Sequence, residues 1–237
     1  MRRLRVAGLT AFLLVFLAIP ACADIVTNGT GQFTGQGFGT LYNLLVLHNN
    51  GTETGAVAPT NASPLPSGFG TCSVKGGVDL CGDATNSSDV VTAADLAALG
   101  ITSFSQLGLL YNVNQQGSDL NTYLTATPAF TLYFYNSSGN LLGSDSYTPG
   151  QTAFPPTSNN GQGTAGWLFK VNDASITFSQ IANIGMSGTV GNANSGADGW
   201  SVGNTGAVIP VPDGGVTAIL LGGALVGLET LRRKFRA

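Results

Sequence analysis

The sequence predicts an all-β protein: a single β-sandwich or jelly-roll-like domain with one short helix, flanked by an N-terminal signal peptide and a C-terminal transmembrane helix. Three observations predict it. Short runs with period-two alternation recur along the body, separated by turns rich in Gly, Asn and Ser. Helical spacing appears in only one stretch of that body. Both ends of the chain join an apolar run to a cluster of basic residues.

The strands are legible one by one. "TLYNLLVL" followed by "HNNG" reads as an early strand and its turn. In "FTLYFY", Phe130, Leu132 and Phe134 alternate with Thr131, Tyr133 and Tyr135, and "NSSGN" then leads into "LLGSDSY" as a hairpin. "GWLFKV" turns Trp167, Phe169 and Val171 inward, and "SITFS" and "DGWSV" continue the pattern. "TAADLAALG" reads as the helix, with Thr92 and Asp95 in capping-box spacing and Gly100 as the stop. Short strands between such turns favour a sandwich or jelly roll. The body, residues 24–203, is long enough for one domain with a real core, and residues 204–210 read as a flexible stalk.

Charge is sparse and unevenly placed. Only 9% of residues are charged, and seven of the nine cations lie at the termini. Between Asp24 and Pro210 the bases are Lys75 and Lys170, against ten acids. Such a body has no basic stripe to neutralise phosphates, which argues against nucleic acid as a partner.

The N-terminus joins Arg2, Arg3 and Arg5 to an apolar run from Ala11 to Ile19, with Ala21 and Ala23 placed as an Ala-x-Ala cleavage site before Asp24. Residues 1–23 therefore read as a secretory signal. The alternative is lipidation of Cys22 in "IPAC", a setting to which Pro20 is poorly suited. With Cys22 removed, Cys72 and Cys81 remain, and an even count in an exported protein favours a disulfide. Gly76 and Gly77 supply the tight turn between them.

At the other end, Val216 to Leu231 is apolar apart from Thr217, Glu229 and Thr230. As a helix it would measure roughly 24 Å against about 30 Å of hydrocarbon. Arg232, Arg233, Lys234 and Arg236 behind it act as a stop and hold that end in the cytoplasm. Ahead of it, Pro212 with Gly214 and Gly215 keeps the chain from entering a helix early.

Pro212 and Asp213 in a short turn, a Gly-rich apolar helix and a terminal "RRKFR" together resemble the PEP-CTERM sorting signal of Gram-negative bacteria. In place of the usual Pro-Glu-Pro, Val211, Pro212, Asp213, Gly214 and Gly215 match the Val-Pro-Asp-x-Gly variant. The resemblance covers residues 211–237 and the signal peptide. It implies recognition by an exosortase-like membrane transpeptidase, transient tethering through the C-terminal helix, and delivery to the cell surface or an exopolysaccharide matrix.

For the body, the sequence supports a non-enzymatic structural or adhesive role, with no cofactor. His48, the one histidine, sits beside the turn-like "NNG" and reads as a surface residue rather than a catalytic base. Two other classes stay open. A carbohydrate-binding module would use exposed aromatics, with Trp200 and Tyr147 as candidates. A glycoside hydrolase needs two carboxyls across a cleft, and Glu53, Asp119, Asp145 and Asp198 are available. Asp79, Asp83 and Asp89 offer oxygens for Ca²⁺, although their spacing is not an EF-hand loop.

The export reading makes a direct prediction. The intact mass of protein recovered from the periplasm shows the loss of residues 1–23, whereas a diacylglyceryl adduct on Cys22 would reverse it.

Overall fold

The computed structural model describes residues 25–33, 41–113, 123–124, 129–148, 152–153, 165–171, 175–193 and 196–210. Ala21, Ala23, the motif at 211–215, the apolar segment behind it and the terminal basic cluster lie outside the described residues, as does Asp119. Among the described residues no helix is long and apolar enough to cross a membrane.

The protein is all-β, with one short helix. The strands are β1 (Val26–Phe33), β2 (Tyr42–Leu47), β3 (Gly51–Pro59), β4 (Cys72–Lys75), β5 (Val78–Gly82), β6 (Val91–Thr92), β7 (Leu107–Asn112) and β8 (Tyr123–Leu124). They continue with β9 (Phe130–Tyr135), β10 (Leu141–Tyr147), β11 (Thr152–Ala153), β12 (Ala165–Lys170), β13 (Asn183–Ala193), β14 (Asp198–Asn204) and β15 (Val208–Pro210). The helix α1 (Ala93–Ala98) lies between β6 and β7. One sheet has the order β15-β1-β12-β7-β14-β2. The other runs β10-β9-β13-β3-β5-β4, with β6, β8 and β11 paired off that path. The named strands pair antiparallel throughout.

The two sheets share one hydrophobic core. The first contributes Leu44, Leu45, Tyr111, Phe169, Trp200 and Val202; the second contributes Val57, Phe130, Leu132, Phe134, Ile184 and Met186. On β9, β13 and β14 these residues alternate with the pleat, whereas Leu44 and Leu45 are consecutive at the irregularity in the β2–β14 pairing, and Leu41, Leu110 and Leu168 form a second, smaller cluster. Phe130 meets the opposite sheet through Phe169, at 5.1 Å and edge-on, and through Trp200 at 6.1 Å. Burying each such side chain contributes about 1.5–3 kcal/mol.

The predicted helix forms with its predicted cap. The Thr92 hydroxyl accepts from the Asp95 N–H at 3.2 Å, and the Asp95 carboxylate accepts from the Thr92 N–H at 2.8 Å. The β9–β10 hairpin turns through Asn136–Asn140, where the Asn136 side chain accepts from the backbone N–H groups of Ser138 and Asn140.

Two expectations are corrected. "SITFS" is not a strand: Phe178–Gln180 is a 3₁₀ turn, and Ile176 before it is buried against the core. Nor is 204–210 a stalk. Asn204 ends β14, Thr205–Ala207 forms a 3₁₀ turn, and β15 adds to the edge of the first sheet by pairing with β1. Val208 and Ile209 are β-branched, and Pro210, which lacks an N–H, stands where an edge strand tolerates it.

Cys72 and Cys81 are bonded, with Cα atoms 4.0 Å apart at directly opposed positions of β4 and β5. Gly76 and Gly77 close that hairpin with φ of 64° and 93°, left-handed values that glycine adopts freely. β4 is the outer strand of its sheet, and its Val74 is 68% exposed, so little packing holds it. The covalent link does so instead. Replacing Cys72 and Cys81 together by Ser should lower unfolding free energy in urea by about 2–3 kcal/mol, the loop-closure value for a ten-residue ring, with β-sheet circular dichroism retained.

Candidate functional site

Of the four acids weighed for catalysis, the three among the described residues fall into two places. Glu53 on β3 and Asp198 on β14 face the same end of the core from opposite sheets, near the β2–β3 turn. Asp145 lies elsewhere, on β10 opposite Leu132. All three are 0% exposed. A carboxyl without exposed surface presents nothing to a polysaccharide chain.

Glu53 is the most perturbed of them. One carboxylate oxygen accepts from the Asn49 backbone N–H at 2.7 Å, and the other is buried with no partner among the described residues. Burial pushes its pKa up to about 7; the Asn49 bond opposes this, while repulsion from Asp198 and Asp83 adds to it. Burial likewise drives the Tyr111 phenol well above its ordinary range, helped by Asp198 and Glu53.

Asp83 is committed to structure. Its carboxylate accepts from the Asn49 side-chain amide at 2.9 Å and from the Thr54 N–H at 2.8 Å, tying the β2–β3 turn to the end of β5. Asp89 accepts from the next N–H, that of Val90, and Asp79 is buried within β5. Among the described residues no three His, Cys, Asp or Glu side chains come together in a way that could hold a metal ion. His48 is exposed at the end of β2, its N–H donating to the Asp83 carbonyl at 3.2 Å.

The aromatics expected to stack on sugars are not exposed. Trp200 is 0% exposed and lies flat on Tyr111, ring centroids 4.5 Å apart. Tyr147 is buried between Phe130 at 5.2 Å and Phe169 at 4.9 Å. Both belong to inward positions of their strands, which alternation alone did not reveal because each strand carries polar residues on both faces.

The outward face of the second sheet carries hydroxyls in cross-strand pairs. Thr131 and Ser146 are 2.9 Å apart, Tyr133 and Ser187 3.1 Å, and Thr54 and Thr189 3.3 Å. Thr131, Tyr133 and Tyr135 are the face the sequence alternation opposes to the core. The matching Ser and Thr positions of β13 went unread, and their signal is the Ser-x-Thr alternation at 187 and 189.

Residues 210–235 match the VPDSG-CTERM motif, a C-terminal sorting signal of the PEP-CTERM-like type. The signal implies an exported protein processed by an exosortase-like enzyme. Neither a curated protein nor a solved structure matches the chain.

The Glu53 environment sets a pH dependence. A carboxyl whose pKa rises from 4.5 to about 7 on folding makes the folded state bind the extra proton. Its contribution is therefore most favourable below about pH 4.5 and is lost as pH climbs through 7, by on the order of 3 kcal/mol. Glu53→Gln should flatten the fall in melting temperature between pH 5 and pH 8 and raise that temperature at pH 8. An unchanged slope would refute the assignment.

Proposed function

We propose that this chain is a structural or adhesive protein of a Gram-negative cell surface or exopolysaccharide matrix, with a non-enzymatic, β-sandwich-type body. The observation that carries the reading is the sorting motif at residues 210–235. The sequence supports the remaining steps: a signal peptide at 1–23 starts export, the short apolar segment holds the chain at the inner membrane, and an exosortase-like enzyme releases it at the motif. An apolar span about 6 Å shorter than the hydrocarbon thickness, rich in Gly and closed by Glu229, suits transient tethering better than durable anchoring. The burial of Glu53, Asp145 and Asp198 favours a non-enzymatic body over a glycoside hydrolase.

Substituting Pro212 and Asp213 by Ala should leave membrane insertion intact and block release, so that tail-containing protein accumulates in the inner-membrane fraction. Equal distribution of the tail-containing form with and without the two residues would sink the sorting reading and leave an ordinary tail-anchored protein.

A further inference from the structure

We infer that the outward face of the second sheet holds a binding site for one ring of a neutral saccharide, between that face and the loop joining β3 to β4. The inference goes beyond the sorting reading and stands or falls without it.

The loop, residues 60–71, leaves the end of β3 and is fastened to the β9–β10 hairpin. The Ser63 N–H donates to the Gly139 carbonyl at 2.9 Å, and the Leu141 N–H donates to the Ser63 carbonyl at 3.2 Å. It then returns to β4, which the disulfide fixes to β5. Between loop and sheet is a cleft of about 240 Å³, lined by Ser67 and Phe69 from the loop and by Thr131, Tyr133, Ser187 and Thr189 from β9 and β13.

The lining defines the ligand. It offers hydroxyls and two partly exposed aromatic rings, Phe69 and Tyr133. No charged side chain is among the residues that line it. Each hydroxyl is one donor and two acceptors, so the Tyr133–Ser187 pair retains capacity for a further polar ligand. An apolar ligand would use none of the hydrogen-bonding capacity that the paired hydroxyls of Thr131 and Ser187 retain, and an ionic one would find no countercharge among the lining residues. A ring bearing hydroxyls at its edge and C–H groups on its face satisfies both kinds of lining. The volume is just under the roughly 300–1,000 Å³ of pockets for drug-sized ligands, which limits the occupant to a single ring, within a chain or at its end.

The test uses full-length protein in a zwitterionic, non-glycosidic detergent, run by affinity electrophoresis through gels containing a glucan, a galactan or a mannan, with alginate as the charged comparison. At least one neutral polysaccharide should retard the protein. Phe69→Ala and Tyr133→Ala should each weaken that binding about tenfold, the value of one aromatic contact, and Ser187→Ala by a smaller factor, with melting temperatures of the loop and Ser187 variants unchanged. Retardation that survives both aromatic truncations, retardation by alginate alone, or none by any neutral polysaccharide would overturn the site.

Discussion

The stack of Trp200 on Tyr111, with Phe130 of the opposite sheet tilted against the same indole, is the contact around which the two sheets are arranged. Trp200 and Tyr111 are directly opposed on β14 and β7, so the stack also fixes the register of that pair. Across the core, the chain makes room with Gly188, where a Cβ would come within 3.3 Å of the indole. An extra methyl group there would press on the largest buried side chain of the protein. A truncation of Trp200 belongs to the class that costs about 3–5 kcal/mol, a large share of the stability of a domain this size.

The same register explains the buried acids. Side chains alternate along a strand, so Trp200 and Val202 cannot face inward without Asp198 doing so as well. On β3, the face that buries Val57 also carries Gly55 and Glu53. The two strands thus deliver one carboxyl each to the same end of the core, and the proton that Glu53 retains near neutrality relieves their repulsion. Charge here is a by-product of pleat geometry, tolerated because Asn49 satisfies one oxygen.

What could be read beforehand divides along the same physical lines. Local signals survived folding: the Thr92–Asp95 capping box, the hairpin at Asn136–Asn140, and the Gly76–Gly77 turn beneath the disulfide all depend on residues a few positions apart. Readings that needed tertiary knowledge did not. Trp200 and Tyr147 were placed on the surface because nothing local says which face of "DGWSV" or "LLGSDSY" meets the other sheet. Residues 204–210 looked like a spacer because β15 has three residues and its partner lies at the far end of the sequence. The hydroxyl-lined cleft was equally hidden, since it requires β9, β13 and the loop after β3 to meet. The tail was legible because a sorting signal is read as sequence by an enzyme.

The pairing of β15 with β1 carries a consequence for the order of assembly. In the second sheet, β4 with β5 and β9 with β10 are hairpins that close within a few residues. In the first sheet no two adjacent strands are consecutive in the chain, and its edge joins residues 31–33 to 208–210. Contacts of such separation form slowly, because their loop-closure entropy comes before any gain. A chain made from its N-terminus can therefore close those hairpins early, but the second sheet waits for β13 at its centre, and β1 lacks its outer partner until residues 208–210 are available. β15 ends at Pro210, where the matched motif begins, so the strand that completes the first sheet directly abuts the sorting signal along the chain.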